Sequence, residues 1–408
     1  MPQPLLLPNY RIISGKVIVV PNLNFSSIIM RSRGIHGDMN RKFDQLNSKD
    51  PESRTIDRIK TIMLDPDVDF ILNLHDGSGF YSPVYEERLR CPDRWGQSII
   101  IDQEKMALLP QNRQGLFTDL ARAAAQCAQD VNRTLLDPSH RVHVKNTRTA
   151  KGNREMAKTL TFFALKHQKP AFGIEASKSF LTPTRVYYHL AAIESFFTQA
   201  GIEFERRFVL DKAGIKRAMD QDIALSMGDR RILLFAENIR RTINYIPMKK
   251  TDNIKFQVNH PLLTLVPSGK GYNLFHGNRR LTRLSFQYFD CDLGLDRIEM
   301  VVDGRPRLIS FGSIVPVKDR FLVKPIPDHR VNVIGFTRKN TANESGLVIE
   351  RPNFAKRFSI DWDGRIFRIE VYRQGKFTGM VLVDFRTRPS ALKLARSDEN
   401  SVYLDQRF

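Results

Sequence analysis

The stretch Pro21-Asn-Leu-Asn-Phe-Ser-Ser-Ile-Ile-Met-Arg-Ser-Arg-Gly-Ile-His-Gly-Asp-Met-Asn-Arg-Lys-Phe43 decides how the chain is read. It begins where Lys16 to Pro21 (Lys-Val-Ile-Val-Val-Pro), a β-branched run stopped by proline, predicts a buried strand. Arg33 follows, and eight residues later Arg41, directly after Asn40.

Downstream, helical and strand-like segments alternate. Ser53 to Leu64 has helical spacing with Ile56, Ile59 and Met63 on one side. Asp69 to Leu74 predicts a second buried strand, running into His75-Asp76-Gly77-Ser78-Gly79. Gly115 to Leu135 reads as a helix, Ala171 to Ile174 as a third strand, and Val186 to Ala200 as a helix closed by Gly201. Such alternation implies an α/β sheet with helices on both faces. Functional residues of such sheets gather just past the carboxyl ends of strands, where His75 and Glu175 fall.

After about residue 210 the texture changes. Lys212 to Asn244 reads as helical and connecting. Beyond Ile254, short β-branched or aromatic runs are separated by turn signals such as Asp303-Gly304 and Asp363-Gly364. Leu262 to Val266, Leu308 to Phe311, Phe358 to Trp362 and Phe367 to Tyr372 are the strand candidates. The implied layout is residues 1–210 as the α/β domain, 211–315 as a linker helix with a small β domain, 316–385 as a second β domain, and 386–408 as a polar tail.

The 408 residues carry 64 Lys+Arg against 44 Asp+Glu, a net charge of +20, which favours polyanionic partners. The basic residues form no block and no aromatic-interleaved motif, so no nucleic-acid partner is expected. No apolar run approaches the roughly 18 residues of a transmembrane helix. Cys91, Cys127 and Cys291 are odd in number and widely spaced, which implies free thiols and excludes a zinc ribbon or disulfide framework. The opening Met-Pro-Gln-Pro-Leu-Leu-Leu-Pro lacks the positive flank and cleavage site of a signal peptide.

The segment from Val20 through Asp38-Met-Asn-Arg-x-Phe43 resembles the zinc carboxypeptidase superfamily, which includes the aspartoacylase and succinylglutamate desuccinylase branch. That resemblance implies a carboxypeptidase-like mixed sheet with flanking helices, followed by one or two small all-β domains. It implies that Asn40 and Arg41 grip the substrate's carboxylate and that Arg33 polarises the scissile carbonyl. The chemistry suits guanidinium, a planar fork for carboxylates and a fixed positive charge for a developing oxyanion. His75, in Leu72-Asn-Leu-His75, takes the place of the third zinc ligand, and Glu175, in Phe172-Gly-Ile-Glu175, that of the general base. His36-Gly37-Asp38 mimics a metal motif, but Met39 is a poor zinc ligand and the stretch already belongs to the arginine motif, so His36 reads as a loop residue.

Three further segments narrow the resemblance: His75 to Tyr81, Arg94 to Ile100 and Ala171 to Lys178. They are similar to the peptidoglycan DL-carboxypeptidases that set helical cell shape in Helicobacter and Campylobacter. Those are periplasmic zinc enzymes that trim a muropeptide tripeptide to a dipeptide at the D-glutamyl–diaminopimelate bond. Trp95 and Thr161 fall at that family's substrate contacts. The family's first metal motif, His-x-x-Glu or Gln-x-x-Glu, has no counterpart here. It and a signal peptide are expected upstream of Met1, with Leu5 to Tyr10 as the remnant of the following helix. Weak or absent zinc binding is the corresponding expectation, since a catalytic zinc needs three protein ligands. A deacylase of the aspartoacylase branch and a metal-free peptidoglycan-binding protein are the rival readings.

Overall fold

In the first half of the chain, four short strands meet edge to edge in one mixed sheet, and the helices between them cover its faces. The computed structural model describes residues 9–21, 23–45, 47–106, 117–220, 223–251, 254–260, 262–337 and 341–386. The chain divides into two compact units, Met1–Met219 and Asp220–Phe408.

In chain order the first unit contains β1 (Tyr10–Ser14), α1 (Phe25–Met30), α2 (Ser53–Met63), β2 (Ile71–Gly77), β3 (Phe80–Tyr81), β4 (Arg90–Cys91) and β5 (Ser98–Ile101). There follow α3 (Leu120–Asn132), β6 (His143–Asn146), α4 (Leu160–Lys166), β7 (Ala171–Ser177), α5 (Thr182–Gln199), β8 (Glu203–Arg206) and α6 (Lys212–Asp220). The main sheet has the order β2-β7-β5-β6. β7 runs parallel to β2 and antiparallel to β5, and β5 runs parallel to β6.

Alternation along β7 divides its side chains between two cores. Phe172 and Ile174 pack with Leu120, Ala124 and Val131 of α3 and with Tyr188, Ala192 and Phe196 of α5. Ala171 packs on the other face with Ile56, Ile59 and Met63 of α2 and Leu160 and Ala164 of α4. The helical spacing of Ile56, Ile59 and Met63 therefore buries one stripe of α2, as its pattern predicts. Asp119 caps α3 by accepting from the Arg122 N–H at 2.9 Å. Gly201, at φ +70°, follows the end of α5.

The second unit is built from sheets. Thr242–Met248, Arg279–Tyr288, Gly271–His276 and Leu263–Ser268 form one four-stranded sheet in that order. Arg305–Ser310, Arg297–Val302, Arg320–Val323 and Ile349–Glu350 form another. A third joins Ser313–Pro316, Lys376–Asp384, Ile366–Arg373 and His329–Val333, and a three-stranded sheet joins Ile232–Phe235, Ala224–Met227 and Phe256–Val258. Ile366–Arg373 is buried on both faces. Ile366 and Tyr372 enter one core, and Phe367, Ile369 and Val371 enter the other. The fold class implied by the resemblance, a mixed sheet with flanking helices followed by small all-β sheets, is the one found.

Several local expectations are corrected. Lys16 to Pro21 is not a buried strand: it joins no sheet, and Ile18 and Val20 are 39% and 40% exposed. β-branched propensity alone makes no strand where no neighbour completes the ladder. β2 is a strand but only half-buried, because it forms an edge of the sheet. The helix at Lys212 ends at Asp220, and the rest of the segment to Asn244 turns into the strands Ala224–Met227, Ile232–Phe235 and the start of Thr242–Met248. Phe358 to Trp362 forms a 3-10 turn and a bridge rather than a strand. Of the polar tail expected at 386–408, residues 387–408 lie outside those described. Of the helix remnant expected at Leu5 to Tyr10, only Asn9 and Tyr10 are described, and Tyr10 opens β1. Cys91 and Cys127 are buried free thiols, as predicted, whereas Cys291 is partly exposed. No helix among the described residues is long and apolar enough to cross a membrane.

Candidate active site

The arginine-rich stretch forms a tight loop whose shape depends on buried polar contacts. Asn24 caps α1 by accepting from the Ser27 N–H at 3.1 Å. The loop then doubles back, so that Met39 N–H donates to the Arg33 carbonyl at 3.0 Å. A Cβ on Gly34 would stand 2.0 Å from the Gly37 carbonyl oxygen, so only glycine fits there. Glu52, 2% exposed, anchors the loop from below. It accepts from Asn24, from the Ile35 N–H at 3.0 Å and from Lys42. Nothing in the spacing of the sequence singles Glu52 out, because its partners lie on both sides of a loop that must fold first.

Met39–Arg41 is a single 3-10 turn capped by Asp38, which accepts from the Asn40 N–H at 3.0 Å. The same carboxylate pairs with Arg33 at 2.8 Å and lies 4.0 Å from Arg41 Nη1. Asp38 therefore holds both guanidiniums near one point. Asn40 accepts the Leu160 N–H on Oδ1 at 3.0 Å, which turns its amide nitrogen toward His75 Nε2 at 3.4 Å. An amide nitrogen can only donate, so Nε2 is the acceptor.

His75 and Glu175 occupy matching positions on the parallel strands β2 and β7. Burial, followed by the positive charge of Arg33, lowers the His75 pKa to about 4, so the imidazole is neutral near pH 7. Burial, reinforced by Asp76, raises Glu175 to about 8, while Arg33, Lys178 and Lys145 oppose the shift. Glu175 Oε2 has no hydrogen-bond partner among the described residues. Arg33 acts electrostatically on both His75 and Glu175, Arg41 acts on His75, and Asn40 meets His75 directly, so these side chains are near neighbours.

Trp95 and Thr161 are held by neighbours of their own. Trp95 N–H donates to the Ser78 carbonyl at 3.1 Å, tying the Gly-Ser-Gly turn to the Trp95 segment. That contact needs bare backbone, since a Cβ on Gly77 would lie 2.4 Å from Gly96 N. Thr161 is 4% exposed, and its hydroxyl faces the Thr159 hydroxyl at 3.2 Å. Neither makes a direct contact with His75 or Glu175 among those described. His36 is an exposed loop residue, as predicted. The α5 residues Arg185 and His189, four apart, both reach Asp76, His189 at 3.5 Å. No motif in the sequence drew attention to that trio.

Among the described residues no three of His, Cys, Asp and Glu gather where they could hold a metal. His75 offers one imidazole, while Asp38 pairs with the arginines and Asp76 with α5. The described residues therefore do not by themselves fit a three-ligand metal.

A mixed sheet with a histidine and a glutamate at the carboxyl ends of adjacent strands, beside a loop carrying two arginines and an asparagine, is the arrangement of a carboxypeptidase-type protein. Comparison with known proteins gives the particular group. The family profile described as the catalytic part of carboxypeptidases controlling helical cell shape matches residues 3–220, and that of the C-terminal domain of metallo-carboxypeptidases matches 291–386. The chain belongs to this helical-cell-shape carboxypeptidase family. It is similar to Helicobacter pylori Csd4, a D,L-carboxypeptidase, in its mDAP-bound form, with 38% identity over 92% of this chain and 90% of that one and a TM-score of 0.80. Tripeptide-bound Csd4 matches at 38% identity over 92% and 89%, TM-score 0.80, and product-bound Csd4 at 38% over 93% and 90%, TM-score 0.80. No curated protein matches.

Proposed function

We propose that this protein acts in the periplasm on peptidoglycan stem peptides, trimming a muropeptide tripeptide to a dipeptide at the D-glutamyl–diaminopimelate bond. The contact of Asn40 with His75, the pairing of His75 with Glu175 on adjacent strands and the nearness of Arg33 and Arg41 support this reading. The tripeptide and mDAP bound by Csd4 support it by similarity.

Arg41, backed by Asn40, holds the terminal carboxylate of the peptide through charge-assisted hydrogen bonds. Arg33 lies where negative charge grows on the scissile carbonyl oxygen, and fixed charge in a partly dry site lowers the barrier. Glu175, in its ionised form, takes a proton from the attacking water and returns it to the leaving amine. Zinc is the metal proposed for the site, and when bound it brings the pKa of a water to about 7. Among the described residues His75 is the one imidazole offered to it.

Incubation with purified tripeptide muropeptide and added zinc tests the reading. Release of diaminopimelate supports it. Cleavage of N-acyl amino acids alone overturns it in favour of a deacylase. A second reading, a metal-free peptidoglycan-binding protein, is favoured by the lack of a three-ligand cluster among the described residues. Tripeptide binding without diaminopimelate release at saturating zinc selects it.

A further inference from the structure

Lys145 stands on the same face of the sheet as His75 and Glu175, two strands away from β7. Glu175 is matched with Ser98 and Ser98 with His143, while Lys145 is matched with Ile100, which faces Gly173. Residues 143 and 145 therefore alternate onto the face that carries 173 and 175. The Lys145 ammonium lies 4.5 Å from the ring centroids of both Tyr81 and Trp95. It donates to the Pro92 carbonyl at 2.5 Å and to the Arg94 carbonyl at 3.0 Å. An ammonium has three N–H donors, so one remains without a partner among the described residues.

This is an unusual place for a lysine, which ordinarily keeps its charge in water. Here burial lowers its pKa, and Asp93, Cys91 and Glu175 counteract the shift. The ring walls and the two carbonyls fix its position. Of the other cations acting on Glu175, Arg33 is paired with Asp38 and Lys178 is exposed. Lys145 is thus the pre-positioned, half-desolvated cation with a donor to spare. A stem tripeptide ending in diaminopimelate carries more than one carboxylate, whereas Arg41 and Asn40 account for one.

We propose that Lys145, walled by Tyr81 and Trp95, is a subsite for a second carboxylate of the peptide, the one that Arg41 and Asn40 do not hold. The inference rests on the stem-peptide reading above. It assigns a purpose to the cation–aromatic cluster: shielding the ion pair from water strengthens it, and the rings hold the ammonium without neutralising it. The carboxylate comes either from the distal centre of diaminopimelate or from the D-glutamyl residue.

Calorimetric binding to the full chain tests the subsite independently of turnover. Three peptides are compared: the diaminopimelate tripeptide, its analogue with lysine replacing diaminopimelate, and its analogue with the D-glutamyl α-carboxylate amidated. The wild type binds whichever analogue lacks the relevant carboxylate about tenfold more weakly, the usual size of a charge-assisted contact. Lys145→Met, which keeps the apolar stem, binds the parent peptide about tenfold more weakly and no longer discriminates, and Lys145→Arg recovers most of the loss. Equal wild-type affinity for all three peptides overturns the subsite and leaves the stem-peptide reading intact. So does an equal loss for all three in Lys145→Met, which would reduce Lys145 to a clip for the Trp95 segment. Failure of the wild type to bind any of them defeats the stem-peptide reading itself. Should Lys145→Met not fold, the wild-type comparison decides alone.

Discussion

His75 and Glu175 are register partners on adjacent parallel strands, 100 positions apart in the chain and side by side at the carboxyl end of the sheet. Parallel strands project matched residues to the same face, so the imidazole and the carboxylate are held by rigid backbone rather than by loops. Only the arginines arrive on a loop, and Asp38 and Glu52 fix that loop in turn.

Glu175→Gln keeps the size of the side chain and removes its basicity. Diaminopimelate release is expected to fall by at least ~100-fold, the usual contribution of a positioned base. Tripeptide affinity should stay within about threefold. A parallel loss of binding, read by calorimetry, would recast Glu175 as a structural group.

Arg41→Ala removes the guanidinium beside Asn40 and leaves Arg33 in place. Tripeptide affinity should drop by roughly 10- to 100-fold, the range for a lost charged hydrogen bond. A tripeptide amidated at its terminal carboxylate should bind wild type and variant alike. Discrimination that survives in the variant would place the carboxylate elsewhere.

Glu52→Ala strands the amide of Asn24 and the N–H of Ile35 and leaves the amine of Lys42 with Asp50 alone, at 2.8 Å. Leaving buried donors of this kind unpaired costs about 2 kcal/mol. A lowered thermal midpoint, together with weaker tripeptide binding through the displaced Arg33, is expected. An unchanged midpoint would show that the loop is held by other contacts.

In the second unit, burial and the neighbouring His260 lower the pKa of His276 to about 4, against 6.5 for the free side chain. Between those values the unfolded chain binds the proton that the folded chain refuses. The stabilisation is complete above about pH 6.5 and is lost as the pH falls toward 4, on the order of 3 kcal/mol in all. Denaturant unfolding of His276→Gln should show a flatter dependence across that window. An equal slope in variant and wild type would remove His276 from the acid response.

Local pattern carried much of the architecture. The stripe of Ile56, Ile59 and Met63 and the apolar run before Glu175 each report a periodicity that survives folding, because packing rewards the face the spacing creates. Lys16 to Pro21 misled because a strand is completed by neighbours that the segment does not contain. Lys212 to Asn244 misled because Ile232–Phe235 is a fully buried strand without alternation, which periodicity does not separate from a buried helix.

From its sequence alone this protein already declared the two arginines with their asparagine, the strand-end histidine and glutamate, and the change from mixed to all-β texture. These are statements about residue type and spacing, which the chain carries before it folds. Only the three-dimensional arrangement made His75 and Glu175 neighbours, joined Asn40 to His75, hid Glu52 beneath the arginine loop and seated Lys145 between two rings. Each of those relations joins segments remote along the backbone, and remote contacts follow from sheet register and packing, which no local run of residues encodes.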